Sequence, residues 1–232
     1  MTRELTPQFT VQRLRRTIGP KLLTPARHSR SNGSMRIAAM IFTLAATAAV
    51  GQPLVQKERD RAIAELESSR QELLAAVASL SPAQWAFKPA PDRWSIVECV
   101  EHVALAEDSY FRTITERLPK AKPQPEKAAE VREKDDYVLK TMTDRSSKRV
   151  TVESLEPKGK SPQEALEHFR RSRDRFVAYA RTTDDDLRGR FQTHRAMGLI
   201  DGYQWILLAV GHTRRHLEQI NEIKTDPKYP RR

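Results

Sequence analysis

The chain has 232 residues, a net charge of +11 and one cysteine, Cys99. This length supports one good core, and the lone cysteine excludes an intrachain disulfide, so the fold rests on core packing with or without a metal. The charge does not carry a nucleic-acid reading: residues 1–50 hold eight Lys/Arg against Glu4, which is +7 of the total, and the +4 left on residues 51–232 has no interleaved aromatics.

Residues 1–34 read as a basic leader or an over-extended start ahead of Met35, and 35–51 as a signal peptide or short anchor. Residues 37–50 form an uncharged run of fourteen behind Arg36. A bilayer span takes about 20 apolar residues. The shorter run suits a signal peptide, and Ala46-Thr47-Ala48 supplies its cleavage site. Export to the periplasm or beyond is expected, with anchoring by residues 37–50 as the alternative.

Beyond the leader, scarce glycine (8 residues) and recurrent Ala, Leu, Glu and Arg favour helix. Residues 151–155 are the nearest approach to a strand. A first helix is expected over 57–79, with Ile63, Leu66, Leu73, Leu74 and Val77 at helical spacing. A Pro-punctuated loop carrying Trp85 and Trp94 follows. Ser95 with Glu98 forms a capping box for the second helix, whose stripe runs Ile96, Val100, Val103, Tyr110, Phe111, Ile114, Leu118. Residues 120–160 read as a long crossover with one short helix near 128–142. Ser161-Pro162-Gln163-Glu164 opens the third helix and Asp201 with Gln204 the fourth. The expected fold is an all-α four-helix bundle over 55–224 with one long crossover connection, preceded by a signal-like segment and followed by a tail at 225–232.

On the fourth helix Trp205, Ala209, His212, His216, Ile220 and Ile223 share one face. The i, i+4 spacing sets the two imidazoles side by side, able to chelate one ion; core histidines satisfied by other groups are the competing account. His102 lies about a third of a turn from its helix's apolar stripe and by itself reads as a boundary residue. His28, His168 and His194 fall in the leader, a charged run and a loop, and receive no role, although His194 could line a nearby pocket.

Trp94-Ser95-Ile96-Val97-Glu98-Cys99-Val100-Glu101-His102 resembles the W-S-x-x-E-x-x-x-H element of the DinB-like superfamily. His212-Thr213-Arg214-Arg215-His216-Leu217-Glu218-Gln219-Ile220 resembles its closing H-x-x-R-H-x-x-Q-I helix. The resemblance covers residues 55–224. It implies a four-helix bundle whose His102, His212 and His216 hold one divalent metal ion. The all-nitrogen set suits Zn, Ni or Fe, or Cu, without choosing among them. The function expected from it is a metal-dependent enzyme, a hydrolase using metal-bound water. The alternatives are a non-catalytic metal-binding or stress-response module and a thiol-dependent transferase, and export counts against the latter. A small-molecule substrate is expected and nucleic acid is not; a membrane enters only through an uncleaved leader, and a homodimer stays open. No catalytic side chain is assigned. Glu98 is either a base, an acceptor for a histidine N–H, or a cap; Gln219 either bonds near the site or packs at the helix edge; Arg215 either meets an anionic substrate or is solvated; and Cys99 is core or a weak ligand. Metal binding is expected to weaken as pH falls through ~6.5, where free imidazole protonates.

Overall fold

The computed structural model describes residues 53–231, so the basic leader and the apolar run at 37–50 lie outside the described residues. In chain order the helices are α1 (Gln56–Val77), α2 (Pro82–Ala86), α3 (Ile96–Arg112), α4 (Ala128–Arg132), α5 (Asp135–Thr143), α6 (Pro162–Thr182) and α7 (Gly202–Lys224). A hairpin of β1 (Phe191–His194) and β2 (Gly198–Asp201) precedes α7. The four long helices pack as neighbours in the cyclic order α1, α7, α3, α6. Among the described residues no helix is long and apolar enough to cross a membrane.

The helix starts follow from local chemistry. Ser95, Ser161 and Asp201 each accept the N–H three residues on, and Glu98, Glu164 and Gln204 bond back to the capping residue. At α1 the cap position is Val55, which has no acceptor, so only the return bond forms, from the Val55 N–H to Glu58 at 3.2 Å. α3 loosens at its end into a π turn, Thr113–Arg117, then tightens into a 3-10 turn around Pro119, which lacks an N–H.

Four features depart from the sequence expectations. The loop carrying Trp85 opens with the short helix α2, capped by Ser81 with Gln84. The short crossover helix is two pieces, α4 and α5, broken at Glu133-Lys134. Residues Glu153–Leu155 form a 3-10 turn and no strand. The segment around His194 is a hairpin in which Phe191 pairs with Asp201 and His194 with Gly198. Gly198, at φ +70°, takes up the left-handed turn conformation that side chains resist. Arg188 ties the hairpin's base to the bundle. Its Nη1 reaches Asp201 at 2.8 Å, its Nη2 reaches Glu58 at 2.8 Å and Asp135 at 2.7 Å, and its guanidinium lies 4.0 Å over the Tyr203 ring.

The core has two apolar clusters. One holds Leu66, Tyr110, Phe176, Trp205 and Leu208; the other holds Leu73, Val100, Val103, Phe169 and Ile220. A polar layer interrupts them at the level where α3 and α7 carry His102, His212 and His216. Each long helix supplies one member of a buried knot: Ser69, Glu107, Arg173 and Thr213. Arg173 Nε donates to Glu107 at 3.1 Å, while its Nη1 and Nη2 donate to the Ser69 and Thr213 hydroxyls at 2.6 and 2.8 Å. Arg173 and Glu107 are both fully buried, which their mutual pairing permits.

Candidate metal centre

His102 stands on α3, and His212 and His216 stand one turn apart on α7. The ring centroids of the three are 4.6–4.9 Å apart, and all three side chains are buried. One ring nitrogen from each lies within 4.8 Å of the other two. The sequence left His102 at a boundary; the crossover folds over it and leaves the residue 4% exposed.

Hydrogen bonds settle two of the tautomers. His102 Nδ1 lies 2.7 Å from the Leu155 carbonyl, which can only accept, so Nδ1 carries the proton and Nε2 a free lone pair. His216 Nδ1 lies 3.0 Å from Gln219 Oε1. That oxygen also accepts from Arg145 at 3.3 Å, which fixes its identity as the acceptor, so the His216 Nε2 lone pair is free as well. Gln219 therefore orients a site residue, and Arg145 is held in turn by Glu222 at 2.6 and 2.8 Å.

Electrostatics keep the rings neutral. Burial lowers the His102 pKa against the Leu155 bond, which raises it. Burial, followed by the neighbouring imidazoles and arginines, holds His212 and His216 well below the ordinary histidine range.

These residues fit a divalent transition metal. His102 Nε2 and His212 Nε2 are 3.2 Å apart. Two imidazole nitrogens bound to one tetrahedral ion at ~2.05 Å are about 3.3 Å apart. His212 Nδ1 is buried without a hydrogen-bond partner among the described residues. Three neutral nitrogens with no carboxylate suit a borderline-soft ion better than Mg²⁺ or Ca²⁺.

The crossover is clamped beside the centre. Glu101, next to His102, accepts the N–H groups of Lys158, Gly159 and Lys160 at 2.9, 3.2 and 3.1 Å. Gly159, at φ +84°, lets those amides curl round one carboxylate. On α7, Gly211 admits α5: a Cβ there would meet Met142 at 2.9 Å and the Leu139 carbonyl at 3.0 Å. Trp94 lies over the site, its ring centroid 4.7 Å from His102 and 5.9 Å from His216. Tyr110 meets His212 edge-on at 5.7 Å.

The other candidates resolve as follows. Glu98 is a cap: burial opposes its charge, but bonds to Lys88 and Ser95 hold its pKa below the usual carboxylate value. Cys99 is core, and burial pushes its thiol pKa up. Arg215 is buried and bonds the carbonyls of Asp144 and Ser147. Trp85 packs in the second apolar cluster. His168 pairs with Asp108 at 2.7 Å on the α3–α6 face. Sequence reasoning missed Leu155, Glu101, Arg145 and Tyr110. None of these had a local signal: even the turn that binds Glu101 lies 57–59 residues along the chain.

A metal-competent histidine trio on a four-helix bundle defines the class of protein, and comparison with known proteins names the family. Residues 65–220 match the model of the DinB superfamily, and the chain belongs to that superfamily. It is 27% identical over 142 residues to the uncharacterized protein YuaE of Bacillus subtilis, covering 59% of this chain and 81% of YuaE. Among solved structures it is similar to YfiT from Bacillus subtilis, described as a probable metal-dependent hydrolase with an unusual four-helix bundle topology. That match has a TM-score of 0.45 and 18% identity and covers 74% of this chain and 88% of YfiT. It is also similar to TT2238, a four-helix bundle protein, with a TM-score of 0.42 and 21% identity over 71% of this chain and 98% of that one.

Proposed function

We propose that this DinB superfamily protein binds one divalent transition-metal ion through His102, His212 and His216 and hydrolyses a small-molecule substrate there. The observation that carries the reading is the convergence of three buried, neutral imidazoles, two of them with Nδ1 tied to an acceptor so that Nε2 is free to ligate. Bound by three neutral nitrogens, such an ion supplies Lewis acidity and acidifies water at the positions its protein ligands leave open. The Leu155 carbonyl and Gln219 hold the ligand rings in orientation and tautomer. Trp94 roofs His102 and His216 and limits water on that side. Glu98 and Glu101 are engaged in the cap and the crossover clamp, so neither serves as a general base. Export remains the accompanying expectation, on residues 37–50 alone.

A second reading has its own observation. Trp94 over the rings, and side chains only 4–7% exposed, also suit a closed metal-binding module without turnover. One experiment separates the readings. Metal content after dialysis is measured on wild type and on His102→Ala, His212→Ala, His216→Ala, His168→Ala and His194→Ala, with a panel of ester, amide and phosphoester substrates assayed beside it. One equivalent of ion is expected in wild type and in the last two variants, with loss in the first three, and hydrolysis should be lost wherever the ion is lost. A full equivalent in all three triad variants would sink the metal site. Bound ion without turnover on any substrate favours the closed module.

A further inference from the structure

We infer that the substrate of this centre carries an anionic group, a carboxylate or phosphate, which docks on Arg149 and Arg195 beside the His212 flank; the inference rests on the metal-site reading above. Its basis is a set of polar groups that the fold leaves uncompensated on one side of the histidines.

Tyr110, Trp205 and His194 form a continuous aromatic wall next to His212. Trp205 lies 5.6 Å from Tyr110 and 5.5 Å from His194, centroid to centroid, and Tyr110 touches His212. Trp205 is 6% exposed, yet its Nε1–H is buried with no acceptor among the described residues. A buried donor left unpaired costs free energy unless a ligand supplies the acceptor.

Two guanidiniums lie by this wall. Arg195 follows His194 in the chain and reaches the carbonyl of Val150, next to Arg149, while Arg149 contacts Met142, whose side chain packs on Gly211 beside His212. Unlike Arg145, Arg173 and Arg188, neither pairs with a carboxylate among the described residues. Arg149 donates to the Thr141 carbonyl at 2.7 Å and contacts Met142 Sδ, and Arg195 donates to the Val150 carbonyl. Glu107, three residues before Tyr110 on α3, is already held by Arg173. Adding a dication held by neutral ligands leaves this side more positive still, and an anion is the group that neutralises it.

Trp94 covers the His102 and His216 side, whereas His194 is half-buried and Arg195 exposed at the rim of the hairpin. An anionic group seated between Arg149 and Arg195 would meet the unpaired Trp205 Nε1–H on the His212 side.

The test titrates purified protein with inorganic phosphate in one arm and acetate in the other, following heat by calorimetry. Both the Co²⁺-loaded and the chelator-treated protein are used. Arg149→Gln and Arg195→Gln are each expected to raise the Kd of at least one anion about tenfold. Arg175→Gln, whose guanidinium pairs with Asp108, should leave both unchanged. The arm with the larger loss identifies the group as phosphate or carboxylate. Melting curves check folding, and Arg195→Gln, at an exposed position, keeps the test decisive if Arg149→Gln loosens α5. Equal Kd values in wild type and both arginine variants overturn the proposal, as does wild-type protein that binds neither anion. Arginine-dependent binding in protein that takes up no Co²⁺ would keep the anion site and remove the metal reading.

Discussion

At the residue scale, burial decides how the three imidazoles answer to pH. Free imidazole protonates near 6.5, and on that basis metal binding would fade through that value. In the folded protein burial comes first, and the neighbouring rings and arginines add to it at His212 and His216, so each pKa lies below 6.5. Protons therefore compete with the ion only at lower pH, and the midpoint of zinc release is expected below 6.5. The same shift bears on folding. Below pH 6.5 the unfolded chain takes up protons that the folded chain refuses, so this contribution to metal-free stability is complete above 6.5 and declines as pH falls. Zinc competition and urea midpoints between pH 7.5 and 5 measure both effects. Zinc release centred at or above 6.5 would contradict the buried, neutral trio.

At the scale of elements, the starts of α3, α6 and α7 were legible because a capping box is local chemistry, completed within four residues. The Arg173–Glu107 knot was not legible, because its members are contributed by four helices and none is distinctive in its own segment. It yields a prediction about packing. Arg173→Met leaves the Glu107 carboxylate buried without its cation and should cost about 3–5 kcal/mol. Arg173→Met with Glu107→Leu removes both charges and should recover most of that loss, since a well-packed apolar pair avoids desolvation altogether. Denaturant melts of wild type, single and double variants are the measurement. A double variant as unstable as the single would show that the knot acts through shape rather than charge.

At the scale of the whole molecule, α3 and α7 meet at the histidines and the crossover closes over them. On the proposed reading, an ion at that junction binds the folded state alone and stabilises it by mass action. At a free ion concentration about 100 times Kd, the melting temperature should exceed that of chelator-treated protein by on the order of 5–10 °C. The helical circular-dichroism spectrum at low temperature should survive chelation, because two apolar clusters hold the bundle on either side of the site. Coincident melts with and without chelator would leave the ion no structural role.

Sequence alone determined the helical class, the caps, the long crossover and the pairing of His212 with His216, because each follows from periodicity or from chemistry within a few residues. It also placed His102 in a motif that resembles the DinB element, but its own helix gave no reason to bury it. Tertiary structure decided that point: the crossover, clamped through Glu101, brings the Leu155 carbonyl onto Nδ1 and leaves Nε2 facing His212. It also formed the β1–β2 hairpin, whose four-residue strands are too short to carry a period and are held by Arg188 from outside. Contacts between residues 53 to 110 positions apart in the chain leave no pattern that spacing can reveal, and these contacts shape the site.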